Sequence, residues 1–158
     1  MIEIRPLHAS DWPAVEAIYA EGIATRAATF ETGTPDYAAF AAGHLSEHRL
    51  VAVENGRVVG WVALAPASAR ACYAGVVESS VYVAENARRR GVGRGLMEAV
   101  LASARAAGIW TIHAGMFPEN AASLALHESL GFRLVGRFER IAQLDGVWRD
   151  TVLLELRL

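Results

Sequence analysis

One segment of the sequence constrains the fold more than any other: residues 76–100, which read VVESSVYVAENARRRGVGRGLMEAV. Its first eight residues are mostly β-branched or aromatic and predict a strand. Val92, Leu96 and Val100 then recur at helical spacing, which predicts a helix that ends near Gly108. Between the two lies a turn with little side-chain bulk and much positive charge. A strand that runs through such a turn into a helix predicts a mixed α/β fold.

The glycine-rich turn is suited to hold an anion such as a phosphate. The first N–H groups of a helix lack intrahelical partners and carry the positive end of the helix dipole. Gly91, Gly93 and Gly95 lack the side chains that would keep a phosphate from those amides. The arginines that add charge at the rim are Arg88, Arg89, Arg90 and Arg94. The alternative is a solvated basic turn, but glycines in the first turns of a helix cost about 1 kcal/mol each.

Composition limits the classes of function. The chain has 158 residues, of which 53% are apolar and 20% charged, and we expect one soluble domain spanning 1–158. A net charge of -2 does not favour binding to nucleic acid or to an anionic membrane. The single cysteine, Cys72, excludes an internal disulfide, and no metal-ligand spacing is present. The N-terminus carries charged residues where a signal peptide would be apolar, so we expect a cytoplasmic protein.

Turn and cap signals organise the rest of the chain. β-rich runs flank Asn55-Gly56 and Asp145-Gly146, pairs suited to two-residue type I′ turns, so we predict two hairpins. Ser10 is predicted to cap the first helix, and Pro35 is predicted to open a second one. The predicted order of elements is β-α-α-β-β-β-α-β-α-β-β, as in a single mixed α/β domain.

The turn also carries a resemblance to a known family. Arg88-x-x-Gly91-x-Gly93 after a strand resembles the acyl-CoA pyrophosphate loop of the GNAT superfamily of N-acetyltransferases, and ENAASLALHESLGFRLVGR is similar to another segment of that superfamily. Within it, GIATRAATFET, VVESSVYV, LHESLGF and DGVWRDTVLLE resemble the phosphinothricin and methionine-sulfoximine acetyltransferases. Those enzymes acetylate the α-amino group of small amino-acid analogues.

The resemblance implies a fold, a cofactor and an assembly. It implies a twisted, largely antiparallel sheet of about seven strands, with a splayed parallel pair in the middle and four helices on both faces. It implies acetyl-CoA as the acetyl donor and a homodimer whose substrate pocket is completed across the interface. The residues implied to hold the cofactor are Val81, Tyr82, Val83, Arg88, Arg89, Arg90, Gly91, Val92, Gly93, Arg94, Gly95, Asn120 and Ser123.

Two residues are candidates for proton transfer. Glu78 stands in an otherwise uncharged strand and matches the glutamate of the phosphinothricin-type enzymes, so we predict a general base. The alternative is an ion pair with Arg70. His127 shares a helical face with Asn120 and Ser123 and stands where many GNAT enzymes carry a tyrosine acid. It is predicted to act as acid or base, with a packing or capping role as the alternative.

The acceptor pocket is implied by resemblance alone. The predicted contacts with the acceptor are Phe30, Glu31, Arg70 and Tyr73. Ala74 and Gly75 stand where the relatives carry an arginine and a tryptophan, so we expect a smaller and less cationic pocket edge.

Three functions are compatible with these residues. The first is an acetyl-CoA-dependent N-acetyltransferase acting on a small amino acid or analogue. The second is a peptide or protein N-terminal acetyltransferase, for which an acidic acceptor groove would be expected, and no acidic cluster is evident. The third is a non-catalytic acyl-CoA sensor, which predicts the loss of Glu78 or His127, and both are present.

Overall fold

A seven-stranded sheet forms the centre of the computed structural model, which describes residues 1–158. In chain order the strands are β1 (Ile2–Pro6), β2 (Arg49–Glu54), β3 (Arg57–Pro66), β4 (Val76–Val83), β5 (Thr111–Met116), β6 (Arg133–Leu144) and β7 (Val147–Arg157). The α-helices are α1 (Trp12–Ala24), α2 (Tyr37–Gly43), α3 (Val92–Ala106) and α4 (Ala121–Ser129). The predicted mixed α/β fold is confirmed. No helix is long and apolar enough to cross a membrane.

The centre of the sheet contains its only parallel pair. The strand order is β1-β2-β3-β4-β5-β7-β6, and every other pair is antiparallel. β4 and β5 pair only from Val76–Glu78 with Thr111–His113, although β4 continues to Val83 and β5 to Met116. The two strands therefore separate toward their carboxyl ends, as predicted for the splayed pair, and leave a wedge-shaped opening.

The helices cover both faces of the sheet. The ring of Tyr19 on α1 lies 5.5 Å from that of Trp61, between ring centroids. On the other face, a Cβ built on Gly60 would lie 3.0 Å from Leu96 of α3. Since adjacent residues of a strand point to opposite faces, α1 and α3 pack on opposite sides of β3. Val92, Leu96 and Val100 are buried, which confirms the predicted apolar face of α3.

Both predicted hairpin turns are present. Asn55 and Gly56 have φ values of 51° and 76°, and Asp145 and Gly146 have 51° and 79°. A type I′ turn requires positive φ at both central residues. The first turn joins β2 to β3, and the second joins β6 to β7.

The two predicted helix starts are shifted. Asp11, rather than Ser10, stands at the N-cap position of α1, but its side chain makes no cap bond to that helix. Its carboxylate instead accepts from the backbone N–H of His8 at 2.7 Å and pairs with Arg5 at 2.8 Å. The second helix is capped by Asp36, whose side chain accepts from the N–H of Ala39 at 2.8 Å. Ser10 instead lies within a short 3₁₀ turn that precedes α1.

Candidate active site

A cleft of about 870 Å³ lies where β4 and β5 separate. It is bounded by the link between α1 and α2, by the start of α3 and by α4. The predicted site residues that line it are Phe30, Val81, Tyr82, Val83, Arg88, Arg89, Gly91, Val92, Gly93, Arg94, Asn120, Ser123 and His127. The predicted site residues that do not line it are Glu31, Arg70, Tyr73, Glu78, Arg90 and Gly95.

The start of α3 presents bare backbone to the cleft. Gly91 caps the helix with φ +80°, a conformation that a residue with a side chain rarely adopts. By helix geometry the N–H groups of Val92, Gly93 and Arg94 have no intrahelical partner. A Cβ built on Gly93 would contact only Leu126 and Val83, each at 3.5 Å, and both of those residues line the cleft. The predicted anion site therefore has the required geometry at Gly91 and Gly93.

Gly95 is placed differently from Gly91 and Gly93, and its cofactor contact stays a prediction. Its N–H already donates to the carbonyl of Gly91 at 3.0 Å. A Cβ at this position would point away from the cleft and lie 3.2 Å from Cδ1 of Ile4 on β1. This glycine allows close packing between α3 and the first strand, and it exposes no amide to a ligand.

The arginines of the turn divide between the cleft and the surface. Arg88 donates through Nε to the carbonyl of Val83 at 3.2 Å and lines the cleft, as does Arg89. Arg94 also lines it, while its Nη1 donates to Ser129 Oγ at 2.8 Å. Arg90 instead pairs with Glu54 at 2.9 Å and does not line the cleft, and its cofactor contact stays a prediction.

The two faces of β4 serve two sides of the cleft. Val81 and Val83 alternate with Ser80 and Tyr82, and all four line it. The ring of Tyr82 stacks on Trp61 with centroids 4.9 Å apart, on the face covered by α1. Burial raises the pKa of Tyr82, so its hydroxyl stays protonated at neutral pH. The cleft therefore has two sides. One carries aromatic residues and lies on the face of the sheet covered by α1, and the other lies next to α3 and α4.

His127 is buried, with 3% of its surface exposed, and it lines the cleft from α4. Its Nδ1 lies 2.7 Å from the carbonyl oxygen of Ser123. A carbonyl oxygen only accepts, so Nδ1 carries the proton and Nε2 presents a lone pair. Burial lowers the pKa of His127, and the bond to Ser123 offsets only part of that change. At neutral pH the ring is therefore a neutral hydrogen-bond acceptor.

This burial predicts an acid-sensitive contribution to stability. The folded-state pKa of His127 lies below that of the unfolded chain, about 6.5, so protonation favours unfolding. Stability that is complete above about pH 6.5 is then lost as pH falls through the folded-state value. When pH drops from about 7.5 to about 5.5, we expect the melting temperature of His127→Phe to fall by less than that of the wild type. Equal losses in thermal unfolding would contradict this assignment.

Glu78 lies on the same face of β4 as Ser80 and Tyr82, and its side chain is exposed. No ion pair or hydrogen bond engages its carboxylate, and the alternative pair with Arg70 is not formed. The Arg70 guanidinium instead lies 5.5 Å from the ring centre of Tyr73. Glu78 is thus an unpaired carboxylate beside the aromatic side of the cleft.

Several residues that line the cleft were not predicted from the sequence. Phe117 lies edge-on to Phe30 with ring centroids 4.9 Å apart, and the guanidinium of Arg149 lies 4.0 Å from its ring centre. Gly115 and Thr151 also line the cleft. The only available signal was the alternation along β5 and β7, which needs the strand register before it can be used.

Comparison with known proteins identifies the family. The model of the Acetyltransferase (GNAT) family matches residues 3–132. The L-methionine sulfoximine/L-methionine sulfone acetyltransferase of Pseudomonas paraeruginosa is 32% identical over 161 residues, covering 98% of this chain and 94% of that protein. This chain belongs to the GNAT family of acetyltransferases.

Solved GNAT structures share the whole fold. A ribosomal-protein-alanine N-acetyltransferase from Brucella melitensis superimposes with a TM-score of 0.90 at 31% identity, covering 99% of each chain. A phosphinothricin acetyltransferase from Sinorhizobium meliloti, in complex with acetyl-CoA, gives a TM-score of 0.90 at 27% identity, covering 99% of this chain and 88% of that one. The protein is an N-acetyltransferase with acetyl-CoA as donor, and the bare amides of α3 fit the phosphates of that donor.

Proposed function

We propose that this GNAT enzyme acetylates the α-amino group of a small amino acid or amino-acid analogue. The observation that best supports this proposal is that the cleft opens to both faces of the sheet. One side offers the anion site of α3, and the other is walled by Tyr82, Phe30 and Phe117. A donor and a small acceptor can therefore meet at the separated strands. The relative that acetylates methionine sulfoximine and methionine sulfone supports this acceptor class.

The donor side is assigned to the start of α3. Acetyl-CoA supplies the activated acetyl group. We assign the phosphates to the first amides of α3 beside Gly91 and Gly93, with Arg88 and Arg89 at the rim. Beyond Glu78, the backbone of β4 has no partner on β5, so the N–H groups that point away from β3, including that of Val81, are free to polarise a carbonyl. His127 offers Nε2 as an acceptor that orients the bound donor.

The acceptor side is assigned to the face of β4 that carries Glu78. Its unpaired carboxylate is suited to take a proton from the acceptor's ammonium group. Glu78 lies two residues before Ser80, which lines the cleft, so the carboxylate stands roughly 7 Å further along the strand and acts through a water molecule. Phe30 supplies an apolar wall, and Glu31, Arg70 and Tyr73 are assigned to the rim.

The edge near Gly75 limits which acceptors fit. A Cβ at this position would overlap the indole of Trp110, so no side chain fits unless Trp110 moves. The cationic side chain that the phosphinothricin-type relatives carry at position 74 is also absent here, since this chain has Ala74. We therefore expect methionine sulfone and sulfoximine to be better acceptors than phosphinothricin.

A panel of acceptors tests the proposal. Thiol release from acetyl-CoA is measured with methionine sulfoximine, methionine sulfone, phosphinothricin and proteinogenic amino acids, and with short peptides carrying N-terminal alanine or serine. Turnover on free amino acids with weaker turnover on peptides is the expected result. Turnover confined to peptides would overturn it and favour the second candidate, an N-terminal acetyltransferase, which the resemblance to the Brucella structure supports. Donor binding without any turnover would favour a sensor.

We also propose a homodimer that forms through the β6–β7 hairpin. β6 is an edge strand, and the exposed large apolar side chains of this hairpin are Leu134, Val135, Phe138, Ile141, Val147 and Trp148. A group of exposed large apolar side chains on an edge strand and its hairpin partner is typical of an interface. That the protein is cytoplasmic and that residues 1–158 form a single domain both remain predictions.

Phe138→Glu tests the dimer. We expect the wild type to sediment with the mass of two chains and the variant with the mass of one, because a carboxylate buried in an apolar interface lacks a partner. Ser46→Glu places the same charge on an exposed residue far from the hairpin and is expected to stay dimeric. A wild type that sediments as a monomer with full activity would refute the proposal.

A further inference from the structure

A row of charged and titratable side chains crosses the sheet beside the cleft. Glu78 on β4 is in register with His113 on β5, His113 with Glu155 on β7, and Glu155 with Arg133 on β6. Residues paired in register on neighbouring strands point to the same face. The four side chains therefore form one continuous row on the face that carries the candidate base.

Contacts within the row fix the orientation of the His113 ring. His113 Nε2 lies 2.9 Å from Oε2 of Glu155, and Arg133 Nη2 donates to Oε1 of the same carboxylate at 2.8 Å. These two partners lower the pKa of Glu155, so it is ionised at neutral pH. An ionised carboxylate only accepts, so Nε2 of His113 carries a proton. Nδ1 makes no hydrogen bond in the structure, and it presents a lone pair whenever Nε2 carries the ring's single proton.

The row lies at the edge of the acceptor side of the cleft. Ser80 and Gly115 are two residues beyond Glu78 and His113 on their strands, share the same face and line the cleft. The charged groups that face His113 are Glu78 from β4 and Glu155 from β7, with Arg133 behind Glu155, and β5 carries no other charge. His113 is thus the in-register neighbour, on β5, of the residue proposed to collect the acceptor's proton.

We propose that His113, oriented by Glu155, receives the proton that Glu78 takes from the acceptor and passes it to solvent. The N–H bond of the ammonium breaks, its proton passes to the intervening water molecule, and that water gives a proton to the carboxylate of Glu78. That proton then moves to Nδ1 of His113, and finally to water, with no change in electron count. His113 acts on the acceptor only through Glu78, so it is a positioning residue. The proposal rests on the proposed role of Glu78 as base.

His113→Gln tests this role in the full-length enzyme. We expect kcat to fall about tenfold, while the KM values for acetyl-CoA and for the acceptor stay within about twofold, because proton removal is slowed and binding is not. Added imidazole is expected to restore most of kcat by accepting the proton directly. The solvent deuterium isotope effect on kcat is expected to increase. His8→Gln, which removes an exposed histidine far from this row, is expected to change none of these values.

The outcomes separate the two proposals. If Glu78→Gln is nearly inactive and His113→Gln has the wild-type kcat and pH profile, the relay is overturned and the base assignment stands. If Glu78→Gln retains the full rate, the base assignment fails and the relay fails with it. If His113→Gln loses activity together with melting temperature, and imidazole restores nothing, His113 only supports the sheet and the relay is likewise overturned.

Discussion

Glu78→Gln is expected to lower kcat by about 10²–10⁴-fold, the range typical of losing a general base. Glutamine keeps the size of the side chain and cannot take a proton, and Glu78 is exposed with no partner to lose, so the fold should be unaffected. The Kd for acetyl-CoA, measured by calorimetry, is expected to stay unchanged because Glu78 lies outside the cleft walls. The measurement is thiol release across a range of pH at saturating donor and acceptor.

The control for that variant is Glu47→Gln, which makes the same change at an exposed glutamate between α2 and β2. It is expected to retain the wild-type kcat. If Glu78→Gln lost only a few-fold in kcat at every pH, solvent would be taking the proton from the acceptor amine, and the proposed base would be wrong. If it lost donor affinity instead, Glu78 would belong to the donor side of the cleft.

Local chemistry made much of the fold predictable. The Asn55-Gly56 and Asp145-Gly146 turns need positive φ at both residues, and few other pairs tolerate that conformation. Val92, Leu96 and Val100 recur every four residues, a spacing that puts the three side chains on one face of a helix, where all of them are buried. Such features depend on neighbours in the chain, so the sequence alone contains the information.

Features that depend on distant partners could not be predicted. Arg90 was grouped with its neighbours in the turn, but it pairs with Glu54, which lies far away in the chain. Asp11 stands at the N-cap position in place of Ser10, and its carboxylate pairs with Arg5 on β1 instead of capping the helix. Similarly, the row through His113 exists only once four strands are in register, which no local pattern specifies.

Gly93→Ala is expected to weaken acetyl-CoA binding by about 10- to 100-fold. The added methyl would stand in the cleft at the first turn of α3 and hold a phosphate away from the bare amides. Losing one charge-assisted hydrogen bond costs about 1.5–3 kcal/mol, and about 1.4 kcal/mol corresponds to tenfold in Kd. The free energy of unfolding should not fall, because the new Cβ would make ordinary contacts at 3.5 Å and alanine favours a helix by about 1 kcal/mol.

Gly95→Ala is the matched control for this prediction, since it adds the same methyl to the same helix two residues later. Its Cβ would face Ile4 instead of the cleft, and the N–H of Gly95 is already bonded to Gly91. We therefore expect Kd for acetyl-CoA to stay within about twofold of the wild type, with any effect confined to the melting temperature. Calorimetric titration of both variants with acetyl-CoA distinguishes the positions. Equal weakening in both would mean that the whole glycine-rich turn senses the substitution, and that the phosphates do not bind at the face of α3 that Gly93 shares with the cleft.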